Sequence, residues 1–164
     1  MPQKVIGLGF PRSGTKSLSA ALEMLGLRIP HLCPVTGGDG IEDLLAILTA
    51  SELTHWDGMV TSKCDLPSIT AITRTFPDAY YIYTRRNEEN RQISLHNIDL
   101  TRSVYEYAEP SAPLYLAEFT KRLLILDLEL EGSEKWSLLC EFLGLDQPND
   151  AYPHKNASEP NYVI

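Results

Sequence analysis

Apolar and polar positions along the chain fall into blocks that read alternately as strand and helix. Val5 to Leu8 is a continuous apolar run that stops at Gly9, the pattern of a buried strand. Leu18, Ala21, Leu22 and Leu25 then recur at i, i+3, i+4 and i+7, one apolar face of a helix, and Gly26 stands where a left-handed cap is wanted. Extended along the chain, the same reading predicts strands over 4–9, 58–62, 79–84 and 123–128. It predicts helices over 15–25, 41–49, 67–75, 88–106 and 135–143, the last closed by Gly144. Such alternation implies an α/β fold, a mostly parallel sheet of four or five strands with crossover helices. Ligands of such sheets bind beyond the carboxyl ends of the strands. Residues 33–40 read as a loop and 109–113 as a break before the last α/β pair. With no repeat and no long linker, 1–164 is expected to be one domain.

The segment joining the first strand to the first helix carries the clearest chemistry. Pro11-Arg12-Ser13-Gly14-Thr15-Lys16-Ser17 places small residues and two cations at a helix N-terminus. Backbone N–H groups, the helix dipole and those cations together suit a phosphate-like group. A nucleoside-triphosphate loop of the Walker type reads G-x-x-x-x-G-K-[ST]. Gly9 and Gly14 have that separation, but Thr15 intrudes and sets Lys16 one residue late. A second cluster follows Tyr80 to Tyr83, where an apolar strand ends at Thr84-Arg85-Arg86 and a helical stretch carries Ser94, eight residues beyond Arg86. A guanidinium offers a planar fork to a phosphate, and a serine two helical turns on can add a hydroxyl donor. Between the two lies Lys63-Cys64-Asp65-Leu66-Pro67, after the strand predicted over 58–62.

Together these pieces resemble the sulfotransferases that use 3′-phosphoadenosine 5′-phosphosulfate (PAPS). Pro11, Arg12, Ser13, Gly14, Thr15 and Ser17 match the family's 5′-phosphosulfate loop, P-[KR]-S-G-T-x-[SW], with Lys16 where many members carry threonine. Arg86 and Ser94 have the spacing of the family's 3′-phosphate site; Arg85, the neighbouring alternative, does not. Lys63 to Pro67 resembles the K-T-H-L-P segment, whose histidine is the general base and whose lysine approaches the transferred sulfuryl group. Here Asp65 stands in place of that histidine. A free aspartate, with a pKa of about 3.9, is a weak base unless burial raises it, and Lys63 would lower it. His31 is the alternative base. Short P-loop sulfotransferase-like proteins with P-R-[ST]-G-T-K-S and D-x-P in these places are the nearest resemblance.

The resemblance implies a P-loop three-layer sandwich that moves a sulfuryl group from PAPS to a hydroxyl or amine acceptor, leaving the product PAP. It implies cofactor contacts from Arg12, Ser13, Gly14, Thr15, Lys16, Ser17, Arg86 and Ser94, with Asp65, Lys63, Arg12 and His31 serving catalysis. No metal is expected, because cations balance the leaving group. Two alternatives stand beside this reading. One is a P-loop nucleotide kinase or NTPase, drawing on Gly9, Gly14, Lys16, Ser17 and a magnesium-holding Asp127 at the end of Leu123–Asp127. The other is a non-catalytic PAP-binding interaction protein. Residues 152–158 resemble the family's terminal P-H-x-N segment; they are expected to form a polar tail, with an approach of His154 and Lys155 to the nucleotide as the alternative.

Composition narrows the partners. A net charge of −8, from 14 basic and 22 acidic residues, argues against a general nucleic-acid binder. Against that background Arg12, Lys16, Lys63, Arg85, Arg86 and Arg91 gather at or just beyond three predicted strand ends, as a small anionic ligand requires. The acceptor, a small molecule or a macromolecule, is left open. Only about 29 residues separate Ser94 from the late strand, so a small lid or a second subunit is expected to complete its pocket. Three cysteines, Cys33, Cys64 and Cys140, make neither a disulfide framework nor a metal site. No apolar run approaches a membrane span and no signal-peptide pattern opens the chain, so cytoplasmic residence is the default expectation.

Overall fold

Strand β1 (Val5–Gly9) forms the middle of a parallel sheet because it is apolar on both sides and fully buried, as a strand covered on two faces must be. The computed structural model of the chain describes residues 3–10, 12–32, 55–62, 64, 66–90, 116–117 and 122–155. Among these, β1 is joined by β2 (His31–Leu32), β3 (Gly58–Thr61), β4 (Tyr80–Arg85) and β5 (Leu123–Asp127) in the order β2-β3-β1-β4-β5. Every pairing is parallel. Val5 lies opposite Gly58 on one side and Tyr80 on the other, Leu8 opposite Thr61 and Tyr83. The carboxyl ends of β1, β3 and β4 therefore finish along one edge.

Strand alternation divides the core in two. On one face Ile6, Leu8, Met59, Tyr81 and Tyr83 pack with Ile69 and Ile72 of α2 (Leu66–Thr75). On the other, Val5, Val60, Ile82 and Leu126 pack with Leu18, Ala21 and Leu22 of α1 (Thr15–Met24) and with Trp136, Leu139 and Cys140 of α3 (Gly132–Leu143). The result is three layers, helix on sheet on helix. Cys64 is a buried apolar filler on the α2 side. The chain leaves β1 toward one face and β3 toward the other, which opens a crevice between their carboxyl ends.

Element boundaries follow from local chemistry. α1 stops where Gly26 turns left-handed at φ 82°, and α3 stops at Gly144 with φ 67°. α3 begins three residues before its predicted start, because the Glu134 carboxylate accepts the Glu131 N–H at 3.0 Å and caps the first turn. β2 is absent from the sequence reading: two residues carry no periodicity, and the strand exists through its pairing of His31 with Val60. Glu88–Asn90 are helical, while the rest of the helix expected over 88–106 and the one expected over 41–49 lie outside the described residues.

The approach of α1 to the sheet depends on Gly7. A Cβ there would stand 2.7 Å from Val60 Cγ2 and 2.8 Å from Leu18 Cδ2. Gly7→Ala is expected to destabilise the fold by about 1–3 kcal/mol, the usual cost of overpacking. Urea unfolding measures this; a loss below about 0.5 kcal/mol, within the range of neutral surface changes, would show that α1 has room to withdraw.

Candidate anion-binding site

The loop after β1 is shaped by two left-handed residues, Arg12 at φ 69° and Gly14 at φ 87°, with Ser13 of ordinary handedness between them. Alternation of this kind turns successive N–H groups toward one point and forms an anion-binding concavity. The first helical bond of α1 runs from Leu18 N–H to Gly14 C=O at 2.9 Å. The N–H groups ahead of it are those a helix leaves to a ligand or to solvent. Gly14 is required twice over, since a Cβ there would also come within 2.4 Å of Leu128 Cδ1.

The Ser13 side chain is turned inward. Its N–H and its hydroxyl both donate to Phe10 C=O, at 3.0 and 2.7 Å. The same hydroxyl lies 3.1 Å from Thr84 Oγ1, and Thr84 donates to Leu8 C=O at 3.3 Å. Ser13 and Thr84 are both buried, so this pair fastens the loop to the end of β4. Thr84 was not singled out in the sequence, where a threonine in an apolar strand carries no signal of its own.

The two arginines at the end of β4 part company. Arg85 is exposed and ion-paired with Asp127 at 2.8 Å, across the register that sets them opposite one another. Arg86 turns the other way: its Nη1 donates to Arg12 C=O at 3.3 Å, and its Nε is buried with no partner among the described residues. Arg86 is thus the arginine brought to the loop. Asp127 ends β5, two strands from β1, a lateral distance of roughly 10 Å. Burial pushes its carboxyl up, but hydrogen bonds from Arg85 and from Glu129 N–H outweigh that and hold it below the ordinary value. Its geometry is that of an ion-pair partner for Arg85, not of a residue reaching into the loop.

The turn after Asp127 braces the same region. Glu129 accepts from Asn87 N–H and from Asn90 Nδ2, both at 3.1 Å, and so ties β5 to the residues just after Arg86. Spacing alone offered no sign of this brace. Lys16 is exposed on the first turn of α1, while Thr15 and Ser17 are buried. Ser17 Oγ accepts from Lys155 N–H at 3.0 Å, so the segment following α3 also comes to the loop.

His31 reaches the site from β2, its Nε2 lying 3.1 Å from Thr15 Oγ1. Burial, and secondarily the charge of Lys16, lower its pKa below the ordinary 6.5, which favours the neutral ring. Lys63, Asp65 and Ser94 lie outside the described residues. The sites brought together are therefore Arg12, Ser13, Gly14, Thr15, Lys16, Ser17, His31 and Arg86.

A family model described as a sulfotransferase domain matches residues 4–109. No curated protein matches the chain by sequence. Among solved structures, the mouse sulfotransferase SULT7A1 complexed with PAP superposes with a TM-score of 0.60 at 15% identity, over 91% of this chain. The chain spans 60% of that protein's length. A sugar kinase from Janibacter sp. HTCC2649 superposes with a TM-score of 0.57 at 11% identity, over 90% of this chain and 97% of the kinase. These two likenesses share the parallel α/β fold described above.

His31 makes the site sensitive to acid. Its folded pKa lies below the unfolded value, so between the two the unfolded chain binds more protons and stability falls as pH falls through 6.5. The loss levels off below the folded pKa. His31→Gln is expected to remove this component, flattening the pH dependence of urea unfolding between about pH 7 and the folded pKa. Unchanged pH dependence in the variant would refute it.

Proposed function

The chain belongs to the sulfotransferase domain family, and on that premise we propose that it transfers a sulfuryl group from PAPS to a hydroxyl or amine acceptor. One observation carries the choice of donor. Arg86 sits on the anion loop, its Nη1 donating to Arg12 C=O and its Nε buried without a partner among the described residues, so its guanidinium has a donor to offer a second phosphate. The residues present fit a ligand with anionic groups at two places, one at the loop and one at the end of β4. When bound, PAPS supplies an activated sulfuryl group and a leaving group that departs as PAP.

The chain's own residues then have distinct tasks. Loop N–H groups, Arg12 and Lys16 hold the 5′ side and neutralise its charge; Arg86 with Ser94 holds the 3′-phosphate. Lys63 stabilises negative charge at the site of transfer. Asp65 or His31 accepts the proton of the acceptor. Asp65 is put forward on its place two residues after Lys63 in the sequence, and His31 is available as a neutral base beside the loop. Positioning and fixed charge supply most of the catalysis in such a site. The magnesium–nucleotide alternative is less favoured because Asp127 is paired with Arg85 at the far side of the sheet. A second copy of the chain is proposed to close the acceptor side.

Donor recognition is tested by calorimetry with PAP, ADP and ATP–magnesium. PAP is expected to bind more tightly than ADP, and Arg86→Ala to weaken PAP by about tenfold to a hundredfold, the equivalent of a charge-assisted bond of roughly 1.5–3 kcal/mol. ADP should scarcely change. Equal losses for both nucleotides would remove Arg86 from the 3′-phosphate.

The proton acceptor is tested by turnover once an acceptor is in hand. Asp65→Asn is expected to lower turnover by about 10²- to 10⁴-fold with PAP affinity retained, and His31→Asn to have a mild effect. Full activity in the first variant with collapse in the second would transfer the role to His31.

A further inference from the structure

The segment that follows α3 turns back to the anion loop along a path held at several points. Trp136 Nε1 donates to Asp150 C=O at 2.9 Å, and the Trp136 ring meets Tyr152 edge-on with centroids 5.0 Å apart. Tyr152 lies beneath Lys135, whose Nζ is 5.4 Å from the ring centroid. It also packs against Gly132, where a Cβ would come within 3.3 Å of Tyr152 Cβ. Three residues on, Lys155 N–H donates to Ser17 Oγ at 3.0 Å. Nothing in the proposed chemistry so far uses this contact.

A hydroxyl has one hydrogen to give and two lone pairs to receive. Lys155 N–H occupies an accepting direction of Ser17 Oγ and so fixes where the oxygen sits. The hydroxyl hydrogen has a poorer use, a contact to Lys155 C=O at 3.4 Å, beyond the usual range for such bonds. A closer anionic oxygen would draw it away, and a hydroxyl that already accepts a hydrogen bond is the stronger donor. Ser17 belongs to the first turn of α1, whose N–H groups open toward the anion.

We propose that Lys155 is a positioning residue, whose main-chain N–H aims the Ser17 hydroxyl at the bound anion. Docking of residues 150–155 and occupancy of the loop are then one linked equilibrium. This rests on the anion-loop reading given above and adds to it a coupling with a segment far away in the chain. Linkage is reciprocal: whatever tightening the docked segment gives to the ligand, the ligand returns to the segment.

Trypsin cleaves after Lys155, so the full-length chain reports the docked state directly. Cleavage at Lys155 is followed with and without saturating PAP, and with inorganic pyrophosphate in parallel, while calorimetry measures binding of each. PAP is expected to slow that cleavage by about threefold to tenfold, the effect of one ordinary hydrogen bond. Ser17→Ala should weaken PAP by a similar factor and abolish the protection, and Ser17→Thr should restore it. Lys155→Pro, which removes the N–H and leaves every loop residue in place, should weaken PAP as Ser17→Ala does. The double variant should lose no more than either single one.

Equal protection in Ser17→Ala, or additive losses in the double variant, overturns the coupling. PAP binding with no protection of Lys155 overturns the coupling and leaves the donor reading standing. Protection by pyrophosphate in a chain that does not bind PAP supports the coupling and overturns the donor reading. Failure of both anions to bind overturns both.

Discussion

The candidate site depends on the seam between the loop after β1 and the end of β4. Parallel pairing brings Gly9 opposite Thr84, and the Thr84 hydroxyl then lies between Leu8 C=O and the Ser13 hydroxyl. The seam is buried, so its hydrogen bonds have no water to compete with them and a broken one would leave an unsatisfied group. Two residues beyond Thr84, Arg86 comes back to the same loop at Arg12 C=O. Neighbouring strands of a sheet stand about 4.8 Å apart, and that spacing sets the scale between the anion loop and the arginine.

β5 extends the arrangement outward. Arg85 is drawn toward Asp127, and Asn87 and Asn90 toward Glu129. Arg86 is left between two pairs that hold its neighbours along the chain. The Leu128 side chain meanwhile packs over Gly14, so the turn that steadies the arginine also lies against the loop. One short turn therefore touches both halves of the candidate site. The exposed ion pair contributes little stability by itself, and its value lies in direction.

Much of this was legible in the sequence because strand, loop and helix there obey short-range rules. The apolar run ending at Gly9, the helical spacing of Leu18 to Leu25 and the placement of Gly26 and Gly144 each depend on residues a few positions apart. Spacing from Ser94 singles out Arg86 in the sequence; in the structure Arg86 reaches Arg12 C=O while Arg85 pairs with Asp127. What was not legible depends on partners distant in the chain. β2 forms because Val60 is beside it; Ser13 turns inward because Thr84 receives it; Ser17 is engaged because Lys155 arrives from the far end. A motif names the residues of a loop but does not distinguish those that face the ligand from those that brace the loop. The three motif residues Lys63, Asp65 and Ser94 fall outside the described residues, and their roles rest on sequence.

Arg12 has a consequence for how such a chain can be improved. It is the one described residue other than glycine with positive φ, a conformation that costs a side-chain-bearing residue about 1–2 kcal/mol. Glycine at that position would relax the backbone and remove a cation from the anion loop in the same step. A selection for thermal stability alone would therefore drift toward glycine there and shed binding along the way, whereas a selection that includes the ligand would retain arginine. On the proposed reading the position sets foldability against recognition, and arginine there favours recognition.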